Sequence, residues 1–210
     1  LYLSADASLP LIYMSDENKN SPMTAPGFCM LLRKHIQNGR IRSITQPGLE
    51  RIVRISIDHL DEMGDLKTKT LLIELMGKYS NIIFIDENNI IIDSIKRIPA
   101  SISSVREVLP GRDYFVPETQ DKLDPLSTDA AAFSERIHAK ASPVYKAIYG
   151  SYTGLSGIVS QEICYRAGID ADLPTAALDT AQMASLYTAF DSILNDVRNG
   201  KFDPCVIYEK

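Results

Sequence analysis

Between residues 41 and 95 the sequence is built from runs of β-branched and aliphatic residues, at 41–45, 49–57, 69–76, 81–86 and 90–95, joined by connections rich in Gly, Asn and Asp. Branched side chains favour extended backbone, and short turns between successive runs fold the chain back antiparallel to itself. The pattern predicts an antiparallel sheet or a partly closed barrel. Upstream, "LYLSADASLPLIYMS" alternates around Asp6, Ser8 and Pro10, as a hairpin does. "TAPGFCMLLRKHIQNGR" then changes to helical spacing. Thr24 is in place to cap, Pro26 sits in the first turn, Phe28, Leu31, Leu32 and Ile36 form one face, and Gly39 ends the helix. The other face carries Arg33, Lys34 and His35.

Beyond residue 98 the grammar changes. Pro99, Pro110, Pro117 and Pro125 punctuate a polar stretch that cannot continue a sheet, because proline donates nothing to a ladder. Residues 99–126 therefore read as a linker. Helical patterns follow at 128–140, 143–149, 155–166 and 175–198, the last preceded by Pro174 and stopped by Gly200. "CVIYE" at the end reads as a returning strand. The expected fold class is α+β: a β-rich lobe over residues 1–98, the linker, and a helical domain over 127–210.

The formal net charge of −5 excludes a chain that is basic throughout, so any nucleic-acid contact needs a local cationic patch. One exists. Between residues 33 and 54, Arg33, Lys34, His35, Arg40, Arg42, Arg51 and Arg54 are opposed only by Glu50. Clustered cations attract phosphates additively, although a run of this kind is also the ordinary composition of a solvated face. Cys29, Cys164 and Cys205 have neither metal-ligand spacing nor an even count, which fits a reducing cytoplasm. No apolar run approaches the ~20 residues of a membrane-spanning helix. Leu1 begins within a strand-like pattern, from which we expect a piece of a longer protein whose upstream targeting segments are not visible.

Three stretches bear on chemistry. In "SITQPGLERIVRI", alternation sets Leu49, Arg51, Val53, Ile55 and Ile57 on one face and Glu50, Ile52, Arg54 and Ser56 on the other. Arg51 interrupts an apolar row. Two readings stand: a structural ion pair near the turn, with an acid such as Glu74 as partner, or an outward guanidinium that reaches a phosphate or base while Glu50 orients it. "YTGLSGIVSQEICYRAG" has the glycine spacing of a helix-hairpin-helix. Gly154 and Gly157 would let backbone N–H groups and a helix N-terminus approach a phosphate, and a plain helix connection would use the same residues. "LLIELMGKYSNIIFID" places Glu74 among apolar residues, with pairing as its expected role. Asp93 in "IIIDSIKR" reads as a strand-end cap. There is no nucleophile elbow, phosphate-binding loop or zinc-protease motif, and His35, His59 and His138 are scattered.

Taken together, "PGFCMLLRKHIQNGRI", "QPGLERIV", "IELMGKYSNIIFID", "IIDSIKR" and "VREVLPGRDY" resemble the N-terminal domain of the NFACT, or fibronectin-binding protein A, family over nearly the whole chain. The resemblance implies a lobe like the formamidopyrimidine-DNA glycosylase N-terminal domain, followed by helices with a helix-hairpin-helix. It also implies ribosome-associated quality control: binding of a large ribosomal subunit blocked by peptidyl-tRNA, and recruitment of tRNA, alanyl-tRNA in bacteria, for an untemplated C-terminal tail. The family's tRNA-linked Asp-Arg pair falls on Glu50 and Arg51, with Glu in place of Asp, and its E-[IL]-M segment on Glu74, Leu75 and Met76. Neither a metal nor a cofactor is implied, and full tailing is not expected of this piece, which lacks the family's opening helix, coiled coil and C-terminal RNA-binding domain. Two rivals remain. A glycosylase would need a free N-terminal proline, where Leu1 stands; a surface adhesin for fibronectin is suggested only by the family's older label.

Overall fold

The computed structural model describes residues 1–17, 20–116, 121–206 and 208, and the chain divides into two compact units, Leu1–Pro117 and Glu118–Lys210. In the first unit, β1 (Tyr2–Ser4) and β2 (Leu11–Tyr13) pair antiparallel as the expected hairpin, and α1 (Gly27–Ile36) follows. The Thr24 cap does not form: Pro26 is the N-cap, and it contributes no side-chain hydrogen bond. A Cβ at Gly39 would fall 2.8 Å from Ile57 Cγ2 and 3.1 Å from the Asp58 carbonyl oxygen, so only glycine allows the chain leaving α1 to pass this close to the sheet.

Five strands form the sheet: β3 (Arg40–Thr45), β4 (Ile52–Leu60), β5 (Leu66–Glu74), β6 (Asn81–Ile85) and β7 (Ile91–Ser94). They pair antiparallel in sequence order, with β3 and β7 at the two edges. The meander is an open sheet, not a barrel. Alternation gives it two apolar faces, which explains why β6 is buried along its entire length. Ile55, Ile57, Leu71, Ile73, Ile82 and Phe84 pack on one face under Phe28, Leu31, Leu32 and Ile36 of α1 and Leu3 and Ile12 of the hairpin. Ile52, Leu72, Ile83, Ile85 and Ile91 pack on the other with Ile98, Val108, Tyr114 and Val116. Full burial of each such side chain stabilises the fold by roughly 1.5–3 kcal/mol.

The second cluster corrects the linker. Ile98 and Val108 exchange backbone hydrogen bonds of 3.0 and 2.8 Å, and Val108 is fully buried, so residues 98–116 form the cover of a sheet face. Prolines gave the segment a connector's composition, but its apolar residues are core. Residues 121–127 pack within the second unit, where the Leu123 N–H donates to the Ser151 carbonyl at 2.8 Å.

The second unit is helical: α2 (Ala130–His138), α3 (Val144–Ser151), α4 (Gly157–Ala167) and α5 (Thr180–Arg198). Phe133, Tyr152 and Phe190 meet at its centre, with the Phe133 and Phe190 rings 4.6 Å apart. Three of its four helix starts, those of α2, α4 and α5, are fixed by side-chain caps. Asp129 accepts from Ala132 N, and Asp179 forms a reciprocal capping box with Gln182. The last helix therefore begins at Thr180, and Thr175–Ala177 is a separate 3₁₀ turn. Cys205, Val206 and Tyr208 form no strand, and the rest of the expected terminal strand lies outside the described residues.

Candidate nucleic-acid interface

The connection from β3 to β4 is a constrained turn. Gly48 has φ +52°, the Glu50 N–H donates to the Pro47 carbonyl at 3.0 Å, and Gln46 Nε2 donates to the Glu50 carbonyl at 2.8 Å. Arg51 follows at the entrance to β4. Its backbone carbonyl accepts from the Leu75 N–H at 2.8 Å, fixing the root of the side chain to the end of β5. Glu50 is half-buried, whereas Arg51 is exposed and makes no ion pair among the described residues. Glu50, Arg51, Leu75 and Met76 thus meet at one end of the sheet.

Glu74 is not the partner of Arg51. It is fully buried opposite Ile52, and its two carboxylate oxygens are taken by others: Arg106 Nη2 donates to Oε2, and Tyr114 OH donates to Oε1 at 3.0 Å. Arg106 also donates through Nη1 to the Phe115 carbonyl at 2.8 Å, and its guanidinium lies 5.3 Å from the centre of the Tyr114 ring. A carboxylate withdrawn from water is tolerable only when saturated in this way. Burial works against the charge on Arg106, but hydrogen bonding and proximity to Glu74 raise its pKa above the ordinary value; burial also pushes the Tyr114 phenol well above its own. Ionic and hydroxyl contacts from the 98–116 cover therefore pin the β5 end on which Leu75 and the backbone of Arg51 depend. The sequence showed Arg106 and Tyr114 only as part of "VREVLPGRDY"; pairing across more than thirty positions has no local signature.

The remaining cations do not share one face. Arg54 is half-buried on the sheet face of Ile52 and Ser56, level with Thr45. Arg40 and Arg42 lie further along the same edge, where Arg42 Nη1 reaches Thr68 Oγ1 at 3.4 Å and Asp58 Oδ1 at 3.8 Å. Arg33 and Lys34 are exposed on α1, which covers the opposite face, and Lys34 Nζ stands 3.8 Å from Glu62. Arg42 and Arg40 therefore follow the β3 edge with Arg54 beside them on β4, and Arg51 stands at the turn, apart from Arg33 and Lys34.

Gly154 and Gly157 belong to the second unit. Gly154 has φ +77° in the connection between α3 and α4, a left-handed conformation that suits glycine. Gly157 is the first residue of α4, and Ser156 Oγ accepts from Val159 N at 3.2 Å. Helix, short turn and helix are present; a Cβ at Gly157 would meet Tyr149 only at an ordinary 3.9 Å. Asp93 is more than a strand-end cap. Hydrogen bonds from Arg97 at 2.9 Å to each carboxylate oxygen, and one from Ser94 N at 2.8 Å, hold its pKa below the ordinary value.

Catalytic groupings are sparse. Among the described residues no cluster of three or more His, Cys, Asp or Glu side chains could hold a metal ion, and burial pushes the Cys164 thiol up to about 11, far from a reactive thiolate. No helix among the described residues is long and apolar enough to cross a membrane.

The chain is an α+β protein whose β-rich unit carries an exposed arginine beside a glutamate at one sheet end. The profile describing NFACT N-terminal and middle domains matches residues 1–210, and the chain belongs to that family. Over 181 residues it is 38% identical to the Rqc2 homolog RqcH of Bacillus subtilis (strain 168), covering 85% of this chain and 32% of that protein. The chain thus spans about a third of that relative. The crystal structure of the fibrinogen binding protein from Staphylococcus aureus superposes with a TM-score of 0.76 at 28% identity, covering 93% of this chain and 65% of that one. The N-terminal structure of the fibronectin/fibrinogen-binding protein from Streptococcus suis gives 0.72 at 29% identity, with coverage of 90% and 67%.

Proposed function

We propose that this chain is an RNA-contacting part of a ribosome-associated quality-control factor, engaging tRNA and a large subunit that carries peptidyl-tRNA. The observation that carries the reading is Arg51: an exposed guanidinium, unpaired among the described residues, on a root held by the Leu75 hydrogen bond. With the nearby Glu74 carboxylate taken by Arg106 and Tyr114, this cation is available to a phosphate or a base edge. Glu50 beside it carries the acid of the family's pair, one methylene longer than Asp. Arg54, Arg42 and Arg40 extend the contact along the edge, and Arg33 and Lys34 supply attraction from the other face. Leu75 and Met76 support the turn from beneath, through a β5 end that Glu74 anchors. In the second unit, the α3–α4 connection with Gly154 and Gly157 serves as a helix-hairpin-helix contact to the RNA backbone. The role is binding without catalysis or cofactor, in the cytoplasm, and C-terminal alanine tailing is an activity of the longer protein.

The test is Arg51→Ala. A phosphate or base contact is worth roughly 1–3 kcal/mol, so affinity for tRNA or for obstructed large subunits should fall about tenfold with the thermal midpoint unchanged. Unchanged affinity would overturn the reading. A second reading, adhesion to fibronectin or fibrinogen, draws on the names of the two solved relatives. Saturable binding of the chain to immobilised fibronectin, insensitive to competing tRNA, would favour it.

A further inference from the structure

At the opposite end of the same sheet, Lys34, His35, His59, Leu60, Asp61, Glu62, Met63 and Lys69 line a cleft of about 440 Å³. Its basic groups come from three elements: Lys34 and His35 from α1, His59 from β4 and Lys69 from β5. Lys69 Nζ stands 2.8 Å from His35 Nδ1. Two cations cannot share that distance at low cost, so the pair holds one positive charge between two bases, the ammonium donating to a neutral imidazole. Burial, followed by the Lys69 and Lys34 charges, lowers the His35 pKa; burial also lowers that of Lys69. His59 stands close by, nine-tenths buried, with Nδ1 3.2 Å from the Leu60 carbonyl and Nε2 without a partner among the described residues.

Asp61 and Glu62 line the cleft as well, and Asp61 acts on Lys69 at longer range, but among the described residues neither pairs directly with Lys69 or His35. Asp61 Oδ1 accepts from the Met63 and Asp65 N–H groups of its own turn at 2.9 Å each, and Glu62 is largely exposed at 3.8 Å from Lys34. Asp86 and Glu87 act on Lys69 only at longer range, Glu87 being 4.0 Å from Lys67. Asp61 is held by its own turn and Glu62 lies toward solvent, so at the centre of the cleft Lys69 and His35 contact each other and not a carboxylate.

We propose that this cleft binds a compact tetrahedral oxyanion of the phosphate class through Lys69, His35 and Lys34. The anion replaces the Lys69–His35 contact: Lys69 turns its N–H groups to the oxygens, and His35 takes a proton from solvent and donates to the ligand. Binding is thereby linked to proton uptake. His59 lies beside the pair, its Nε2 without a partner among the described residues. The inference is independent of the role of Arg51, which lies at the other end of β4.

Sulfate is the probe, because its charge is constant across the range and the protein alone titrates. Isothermal titration of the chain should show sulfate affinity rising by up to about tenfold for each pH unit lost between about pH 8 and about pH 6. Lys69→Met should weaken binding about tenfold and flatten that profile, and Lys34→Met should weaken it less. Lys78→Met, at the far sheet end, should bind as the parent does. Thermal unfolding of each variant separates loss of site from loss of fold, and the exposed Lys34 keeps the test alive if Lys69→Met does not fold. A pH-independent affinity, or a folded Lys69→Met that binds as the parent, would overturn the proposal. Saturating tRNA that displaces sulfate would assign an RNA phosphate as the occupant; sulfate and tRNA bound together would assign a free anion.

Discussion

The two ends of one sheet handle charge in opposite ways. At the end of β5, Glu74 is withdrawn from water and both its oxygens are met by Arg106 and Tyr114, while Arg51 stands outside without a partner among the described residues. At the other end, Lys69 contacts His35 with His59 alongside, and Asp61 and Glu62 line the same cleft without a direct ion pair to Lys69. The first arrangement spends its acid on architecture and leaves a cation for use. The second sets an ammonium against a neutral imidazole. Acidic net composition conceals both, because what matters is which charges are matched locally.

Breaking the matched end has the largest expected effect. Arg106→Met strands Glu74 in the core and should cost about 3–5 kcal/mol in urea unfolding, with Glu74→Gln in the same background recovering part of it. No recovery would mean that packing of Arg106, not its charge, holds the cover. Tyr114→Phe removes one of the two partners and should cost about 1–3 kcal/mol by the same measurement, sharpening how the load divides between ion pair and hydroxyl. The smallest effect belongs to Asp93, whose partner Arg97 is largely exposed. Its folded pKa is depressed by the Arg97 hydrogen bonds below the ordinary 3.8, so its stabilisation is present above that value and lost as pH falls through the lower folded pKa. Acid titration of the thermal midpoint should show a small decline below about pH 4 that Asp93→Asn reduces.

Much of this architecture was legible in the sequence. The five strand runs, the hairpin, α1 and most of the helices follow from alternation and spacing, and the two faces of β4 fall as alternation sets them. The Pro-rich stretch misled because proline reports on local hydrogen bonding, whereas Val108 and Tyr114 report on burial, and only the fold shows which prevails. Thr24 failed as a cap because α1 begins directly after Pro26. Thr175 looked like a helix start because Pro174 precedes it, but Asp179 with Gln182 makes a better one. For the candidate site, Arg51 and its turn were visible. The division of the cationic run between two sheet faces was not, since it depends on which face α1 covers, and the partner of Glu74 was hidden by distance along the chain.

The two borders of the sheet are also unequal. Along β7, the Gly111 and Arg112 backbone groups hydrogen-bond to Ile91 at 2.8 Å and close that side. Among the described residues the β3 side has no such cover; instead the register shifts between Ile41 and Ser43, and Arg42 occupies the irregularity beside Arg40. A broken ladder flanked by positive charge is a poor template for another extended chain. The arginines along this border therefore guard against fibrillar self-association as well, and an engineered variant that straightened and neutralised it would trade solubility for stickiness.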